Sequence, residues 1–401
     1  MSHTSDLPLA KYQQASPRPQ TVIIAVLLGL IVFGAIIVSP FGGWKQSVLF
    51  LIGGLFGLSL YHASFGFASS YRKLFVYRDS QGVLAQILML AIATLIFAPF
   101  LLAGSAFGQD LRGAVAPVGV QGIIGAFLFG IGMQLGSGCA CGTLYTIGGG
   151  SSMMLLTLLT FGLGSFWASL TGSLWAGLPK TEPISLVQSW GWLGVAGQLL
   201  VLAAIAALLW QWGRKSLPPT ESKSSTQPFS LRNLLYGPWS LVFGAIALAI
   251  LNWLTLLLAG RPWGVTWGFT LWTAKIAQTL GWNPATSEFW SQGMGAEALS
   301  QSVFADITSV MNFGIVLGAA LAAALAGRLT VKRPPSKWAI AAALVGGLMM
   351  GYGARLAFGC NVGAYFSGIA STSLHGWLWI TFALLGTGIG IRLRSLFQLS
   401  N

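Results

Sequence analysis

Charged residues are scarce in this chain, and their scarcity is the first constraint on what it can be. Asp, Glu, Lys and Arg make up 7% of the 401 residues, hydrophobic residues make up 55%, and the mean hydropathy is +0.74. A chain with so little charge cannot cover a water-exposed surface of ordinary charge density. The composition therefore excludes an ordinary soluble protein and predicts that lipid surrounds most of the chain.

Carboxylates are rarer still, with eight Asp and Glu against 21 Lys and Arg. Only Asp306 falls near a predicted span, so the sequence shows no carboxylate relay of the kind that proton pumps use. In a soluble protein the basic excess would indicate nucleic acid, but the cytoplasmic loops of a membrane protein account for it here. We therefore expect no nucleic-acid partner.

Apolar runs of about 17 to 25 residues, the length that spans a bilayer, occur along the whole chain. The regular runs cover 21–38, 83–104, 190–212, 238–258, 304–326, 338–358 and 377–395, and less regular ones cover 47–66, 118–136 and 152–178. They predict eight to ten crossings. The expected fold class is all-α: a polytopic transmembrane helical protein.

Clusters of Lys and Arg predict the orientation, since the cytoplasmic loops of membrane proteins are enriched in both. They fall on one side if both termini are cytoplasmic, so we expect a multi-pass protein of the bacterial inner membrane, N-in and C-in. The clusters are Lys11 with Arg18, Arg72 to Arg78, Arg214 to Arg232, Arg328 to Lys337, and Arg392 with Arg394.

The polar segments predict how the chain is divided. Residues 1–20 are typical of a cytoplasmic tail and lack the features of a cleaved signal. Residues 213–233 are rich in Ser, Pro, Thr and Lys without apolar periodicity, as in a cytoplasmic linker. The linker would separate a first transmembrane repeat at 21–212 from a second at 234–401.

The three cysteines lie in two glycine-rich motifs that match each other. Gly130 to Gly142 aligns with Gly351 to Gly363 at six of thirteen positions without a gap, including Cys139 with Cys360. A matched cysteine is far less expected by chance than matched glycines in a chain with 53 of them. On the predicted topology the copies enter from opposite faces, which is typical of inverted repeats that meet near the bilayer midplane.

Each motif is followed by a piece too short to span, 142–149 and 363–372, so we expect short re-entrant helices that begin at tight glycine turns. The segment 263–281, with Lys275, is a third interrupted piece. The amide end of a short helix favours an anion, and a neutral thiol adds a weak hydrogen-bond donor and acceptor. The candidate substrate-binding residues are Cys139, Cys141, Cys360, Gly138, Gly142, Gly359, Gly363, Gln134 and Arg355.

Structural roles stay open for the same residues. Close helix packing explains many glycines, and a buried cysteine is often only a small hydrophobic residue. Gln134 and Arg355 occupy equivalent positions before the two matched cysteines. Arg355 could lie by an anion path or extend to a membrane interface.

The pair of Gly-x-Gly-x-x-x-x-x-Gly-Cys motifs, each with a glycine three residues after the cysteine, resembles the YeeE/YedE sulfur-transport family over nearly the whole chain. The 374–377 stretch is more similar to the YedE branch, which is associated with selenium. The resemblance implies uptake of thiosulfate or a related sulfur or selenium compound, relayed by Cys139 and Cys360 through transient S–H···S hydrogen bonds. It also implies a cytoplasmic sulfur carrier of the TusA type as partner. We expect no cofactor, no metal and no enzymatic activity.

The chain departs from the family pattern at two places. Only Cys360 lies beyond the linker, where characterised members carry a further cysteine. The stretch 65–68 reads Phe-Gly-Phe-Ala where many members carry an early Gly-x-x-Cys. The sequence therefore leaves open the exact substrate, and whether Cys141 replaces a missing cysteine.

Two other classes of function compete with sulfur transport. A membrane thiol–disulfide oxidoreductase would use cysteines on water-accessible loops, usually spaced Cys-x-x-Cys, whereas Cys139 and Cys141 lie in an apolar glycine turn. Copper(I) transport would use soft thiolates, but the chain lacks the usual Met or His clusters. The motif chemistry favours an anion over both.

Overall fold

The computed structural model describes residues 18–214 and 231–400, which are predominantly helical. The α-helices are α1 Thr21–His62, α2 Phe67–Tyr77, α3 Gln81–Ala103, α4 Val120–Leu135, α5 Ala140–Gly148, α6 Ser152–Leu170, α7 Ser173–Ala176, α8 Leu186–Trp190, α9 Trp192–Arg214, α10 Leu231–Tyr236, α11 Leu241–Ala259, α12 Thr266–Thr279, α13 Glu288–Ser291, α14 Gly293–Ser300, α15 Ile307–Leu325, α16 Lys337–Leu356, α17 Ser367–Ala370 and α18 Leu374–Leu393. Three 3-10 turns cover Pro284–Thr286, Val303–Ala305 and Arg394–Phe397, and a π-helical segment covers Asn361–Phe366. Within the described ranges the strands are β1 Ser105–Ala106 and β2 Gln109–Asp110, which pair antiparallel.

Nine helical stretches of the described residues are long and apolar enough to cross a membrane. They are Thr21–Tyr77, Gln81–Ala103, Val120–Gly148, Ser152–Leu170, Trp192–Gly213, Leu241–Ala259, Ile307–Leu325, Lys337–Ala370 and Leu374–Phe397. The chain is therefore an all-α, multi-pass membrane protein, as its apolar runs predict. The predicted tail at 1–20 and linker at 213–233 lie mostly outside the described residues.

The long helix α1 is two arms joined at a break. Gly42 and Gly43 have non-helical backbone angles, and the φ of Gly43 is +64°, a value that glycine adopts readily. Ser47 Oγ donates a hydrogen bond of 2.6 Å to the carbonyl oxygen of Ala35. Twelve residues of uninterrupted helix would separate these groups by about 18 Å. The chain therefore turns back on itself, and the predicted runs 21–38 and 47–66 correspond to the two arms.

Helices of the two halves pack in a matching pattern. α4 packs against α16, α6 packs against α16, and α18 packs against α4. In the same way α1 packs against α15 and α3 against α11, while α12 contacts α6 as α2 contacts α18. Each helix of the first half has a counterpart in the second: α1 with α11, α2 with α12, α3 with α15, α4 with α16 and α6 with α18. When every helix is replaced by its counterpart, the list of contacts stays the same.

Glycines bring α4 and α16 into backbone contact. A Cβ built on Gly125 would lie 2.6 Å from the Gly353 carbonyl oxygen, and one on Gly353 would lie 2.5 Å from that of Gly125. Gly132 and Gly346 meet in the same way, each with the opposite carbonyl oxygen at 2.7 Å. No side chain fits at such distances, so small residues set this crossing. The two contacts are related by one offset, since 353 − 132 and 346 − 125 are both 221.

The interrupted segment predicted at 263–281 forms the 14-residue helix α12, which is too short to be one of the nine spanning stretches. Its Lys275 Nζ donates hydrogen bonds to the carbonyl oxygens of Leu299 and Gln301, at 2.9 and 2.6 Å. Lys275 thus links α12 to the last turn of α14 and to the residue that follows it.

Candidate functional site

The three cysteines meet in the interior although the two motifs are far apart in sequence. Cys139 Sγ lies 3.4 Å from Cys141 Sγ. Cys360 is within electrostatic range of both, and α5 contacts the π-helical segment. The exposed fractions of Cys139, Cys141 and Cys360 are 2%, 0% and 1%. The matched motifs therefore build one buried thiol cluster.

In the first motif the thiol of Cys139 caps a helix. The Gly142 backbone N–H donates to Cys139 Sγ at 3.4 Å, and Thr143 Oγ1 donates to the Cys139 carbonyl oxygen at 3.0 Å. The backbone of Cys139 is extended, and α5 begins at the next residue. The predicted short helix is present and starts two residues earlier than expected. The sulfur atom thus lies at the N-terminal end of α5. Free backbone amides at this end of a helix attract anions.

In the second motif the equivalent cysteine opens a π-helical segment. The Cys360 thiol makes no capping hydrogen bond of normal geometry to Asn361–Phe366, although the Val362 and Gly363 amides lie near it. Gly359 has φ of +151°, and a Cβ there would lie 2.8 Å from the Ala364 nitrogen, so glycine is required. At Gly363 no atom lies within 4 Å of the Cβ position. The backbone of Gly363 thus borders open space beside the thiol.

Polar side chains around the thiols were missed by the sequence reasoning. The Tyr71 hydroxyl lies beside Asn361 and Tyr365 and within electrostatic range of Cys139, and Tyr145 lies within range of Cys139 and Cys141. Tyrosines in a membrane protein are ordinarily assigned to the interfaces, so nothing marked these. Asn361 did carry a signal, because it directly follows Cys360 in the motif.

Two cavities lie near this cluster, on different sides of the motif residues. The smaller has a volume of about 660 Å³, with Tyr61, His62, Ser64, Tyr145, Arg232 and Arg328 in its wall. The larger has a volume of about 1030 Å³, with Ser165, Trp267, Thr270, Glu288, Arg355 and Gly359 in its wall. Tyr145, in the wall of the smaller cavity, is within electrostatic range of Cys139 and Cys141, and Gly359, in the wall of the larger, directly precedes Cys360.

The equivalent positions Gln134 and Arg355 differ in their surroundings. The Arg355 guanidinium carbon lies 4.2 Å from the Phe289 ring centroid, and the side chain faces the larger cavity. Gln134 is fully buried, donates to the Ala68 carbonyl oxygen at 3.0 Å and accepts from Arg72 at 3.4 Å. Its own carbonyl oxygen accepts from Arg394 at 2.6 Å. Arg355 therefore borders a cavity, whereas Gln134 is bonded to residues of other helices.

Comparison with known proteins places the chain in a family. The pattern of the sulphur transport family matches residues 62–389, a range that includes both Gly-Cys motifs. The chain belongs to this family. The thiosulfate transporter TsuA of Spirochaeta thermophila is 29% identical over 357 residues, which cover 84% of this chain and 95% of that protein.

Two further relatives of the family come from Escherichia coli. Its thiosulfate transporter TsuA is 26% identical over 349 residues, with 84% of this chain and 91% of that protein covered. Its probable transporter YedE is 33% identical over 154 residues, with 38% of this chain and 37% of that protein covered. The resemblance that the cysteine motifs predict is thus confirmed.

Proposed function

We propose that the protein takes up thiosulfate, or a related sulfur or selenium anion, across the bacterial inner membrane by a relay between Cys139 and Cys360. The observation that carries the proposal is the meeting of the two matched motifs in one buried cluster, with each cysteine at the start of a short helical segment. The names of the TsuA relatives support thiosulfate as the substrate.

The chemistry of the cluster suits a soft anion. Uncharged thiols donate weak hydrogen bonds and do not repel a negative charge, and sulfur is a polarizable partner for sulfur. The amides of the first turn of α5 add partial positive charge close to Cys139. Transfer between Cys139 and Cys360 would then need only an exchange of hydrogen bonds, without covalent chemistry.

The two cavities provide the approach and the exit. With both termini cytoplasmic, the cavity with Arg232 and Arg328 in its wall would open to the cytoplasm, and that with Glu288 and Arg355 to the outside. Arg355 would capture the anion before it reaches Cys360. A TusA-type sulfur carrier would accept the anion at the cytoplasmic cavity.

We also propose that residues 21–212 and 234–401 are inverted repeats and that the short segments after the two cysteines are re-entrant. The exchangeable pattern of helix contacts and the paired glycine contacts of α4 with α16 support this. In such an arrangement the broken segments lie where protein satisfies their backbone groups.

The distance between two thiols favours a second function, thiol–disulfide exchange. Cys139 Sγ and Cys141 Sγ are 3.4 Å apart, and a modest movement would bring them to the disulfide bond length of about 2.05 Å. A thiol–disulfide oxidoreductase would cycle this pair. Thiol trapping of the protein in native membranes distinguishes the two functions, because a transporter keeps Cys139 and Cys141 reduced throughout turnover.

The proposal is tested by reconstitution. Purified protein in proteoliposomes is expected to take up radiolabelled thiosulfate, with saturation and without an added thiol reductant or oxidant. Liposomes without protein give the background. Folded protein that takes up no thiosulfate above this background would contradict the proposal.

A further inference from the structure

Two polar side chains beside the thiols are not required by a thiol relay. Tyr71 is 1% exposed and Asn361 is 0% exposed. Tyr71 Oη and both polar atoms of the Asn361 amide make no hydrogen bond of normal geometry with a described residue, although the Tyr71 hydroxyl lies beside Asn361 and Tyr365. Buried polar groups are nearly always hydrogen-bonded, because leaving them unpaired is costly. Three such atoms at one place therefore indicate a ligand.

These groups converge from separate parts of the chain. Tyr71 lies on α2, and Asn361 is the first residue of the π-helical segment. The Tyr71 hydroxyl lies beside the Asn361 side chain and within electrostatic range of Cys139. Asn361 directly follows Cys360 in the chain. Hydrogen-bond donors and thiols thus lie in the same part of the buried interior.

The groups around Tyr71 and Asn361 are of two chemical kinds. Aromatic rings lie on one side, because Tyr365 neighbours Tyr71 and its ring is 6.3 Å from that of Phe67 and 6.5 Å from that of Trp379, measured between centroids. Against these rings, Tyr71 and Asn361 offer O–H and N–H donors, which oxygen atoms accept well. The cysteines offer a softer contact, suited to sulfur.

We infer that Tyr71 and Asn361 bind the oxygen atoms of a sulfur oxyanion whose terminal sulfur contacts the thiols. The inference rests on the proposed function and makes it more specific. An anion with sulfur at one end and oxygens at the other satisfies both kinds of group at once. An anion without oxygens, such as hydrosulfide, leaves Tyr71 and Asn361 unpaired and is therefore bound less well.

The second motif has an amide side chain directly after its cysteine, and the first motif does not. The residue equivalent to Asn361 in the first motif is Ala140, since 361 − 221 = 140. Ala140 has no polar side-chain atom. The oxygen-binding position therefore belongs to the second motif and fixes the orientation of the anion relative to the two matched thiols.

Asn361→Leu and Tyr71→Phe test the inference in the purified full-length protein. Each variant is expected to raise the KM for thiosulfate uptake in proteoliposomes about tenfold, because one or two hydrogen bonds to a charged group are lost. The unfolding temperature of the ligand-free protein is expected to stay the same or rise, since the groups removed have no protein partner.

Asn252→Leu is the matched control. Asn252 is equally buried, but its amide donates to Ser367 Oγ at 3.1 Å and accepts from the Trp263 nitrogen at 2.8 Å. This variant is expected to lower the unfolding temperature.

Three results would count against the inference. If Asn361→Leu and Tyr71→Phe keep the KM of the intact protein, the oxygen-binding position is wrong while the proposed function stands. If both lower the unfolding temperature as Asn252→Leu does, the two side chains are structural. If the intact protein takes up no thiosulfate, the proposed function fails and this inference fails with it.

Discussion

In both Gly-Cys motifs an extended cysteine directly precedes a short helical segment, but the groups beside the sulfur atom differ. Cys139 caps a regular α-helix, accepts a hydrogen bond from Gly142 and has a second thiol 3.4 Å away. Cys360 opens a π-helical segment and is followed by Asn361, whose amide lies beside the Tyr71 hydroxyl without a hydrogen bond of normal geometry to a described residue. One motif thus supplies paired thiols, and the other supplies a single thiol with a polar neighbour.

The features that match between the two motifs are those that pack helix against helix. The glycine contacts between α4 and α16 are the same in both directions because each helix is packed against the other's backbone. On the proposed function the residues that line the cavities meet an asymmetric solute, so their identities need not match between the two halves. Gln134 and Arg355 differ accordingly, since Gln134 is buried among hydrogen-bond partners and Arg355 borders the larger cavity.

Removing both thiols of the first motif should have the largest effect. The double variant Cys139→Ala with Cys141→Ala leaves the second motif intact but without a thiol to receive the anion. Thiosulfate uptake in proteoliposomes is expected to fall to background while the protein still purifies as a folded species. Uptake above a tenth of the intact rate would show that Cys360 works without the first motif.

Arg355→Gln should have the next largest effect. Loss of the guanidinium charge from the wall of the larger cavity is expected to raise the KM for thiosulfate about tenfold, which corresponds to about 1.4 kcal/mol. The maximal rate should change little, because Arg355 acts before the relay. Arg355→Lys keeps the charge and is expected to recover part of the affinity. An unchanged KM in Arg355→Gln would remove Arg355 from the path.

Cys141→Ala should have a smaller effect. Cys139 keeps its hydrogen bond from Gly142 in this variant and loses only the contact with the second sulfur atom. Loss of one neutral hydrogen bond predicts a decrease in uptake of about two- to fivefold. A decrease as large as that of the double variant would mean that Cys141 is itself a relay residue.

Gln134→Met should have the smallest effect on transport. The substitution removes the hydrogen bonds to Ala68 and from Arg72 but changes no residue of either cavity. The unfolding temperature is expected to fall, and the KM for thiosulfate should stay within about twofold, since the lost bonds are structural. A change in KM without a change in stability would place Gln134 on the anion path.

The sequence predicts those features that depend on local pattern. The apolar runs predict the spanning helices, and the matched motifs predict the short segments after Cys139 and Cys360. Tyr71 could not be assigned in this way. Its neighbour Asn361 lies 361 − 71 = 290 residues away, and only packing of α2 against the second half brings them together. The π-helical form of 361–366 depends on tertiary packing in the same way.

Uptake of radiolabelled thiosulfate by the Cys360→Ala variant in proteoliposomes tests the central claim most directly. Cys360 is the single thiol of the second motif, and no other cysteine follows it in the chain. A relay through both motifs predicts uptake at the level of protein-free liposomes, with an unfolding temperature close to that of the intact protein. Uptake by Cys360→Ala at the rate of the intact protein would contradict the relay.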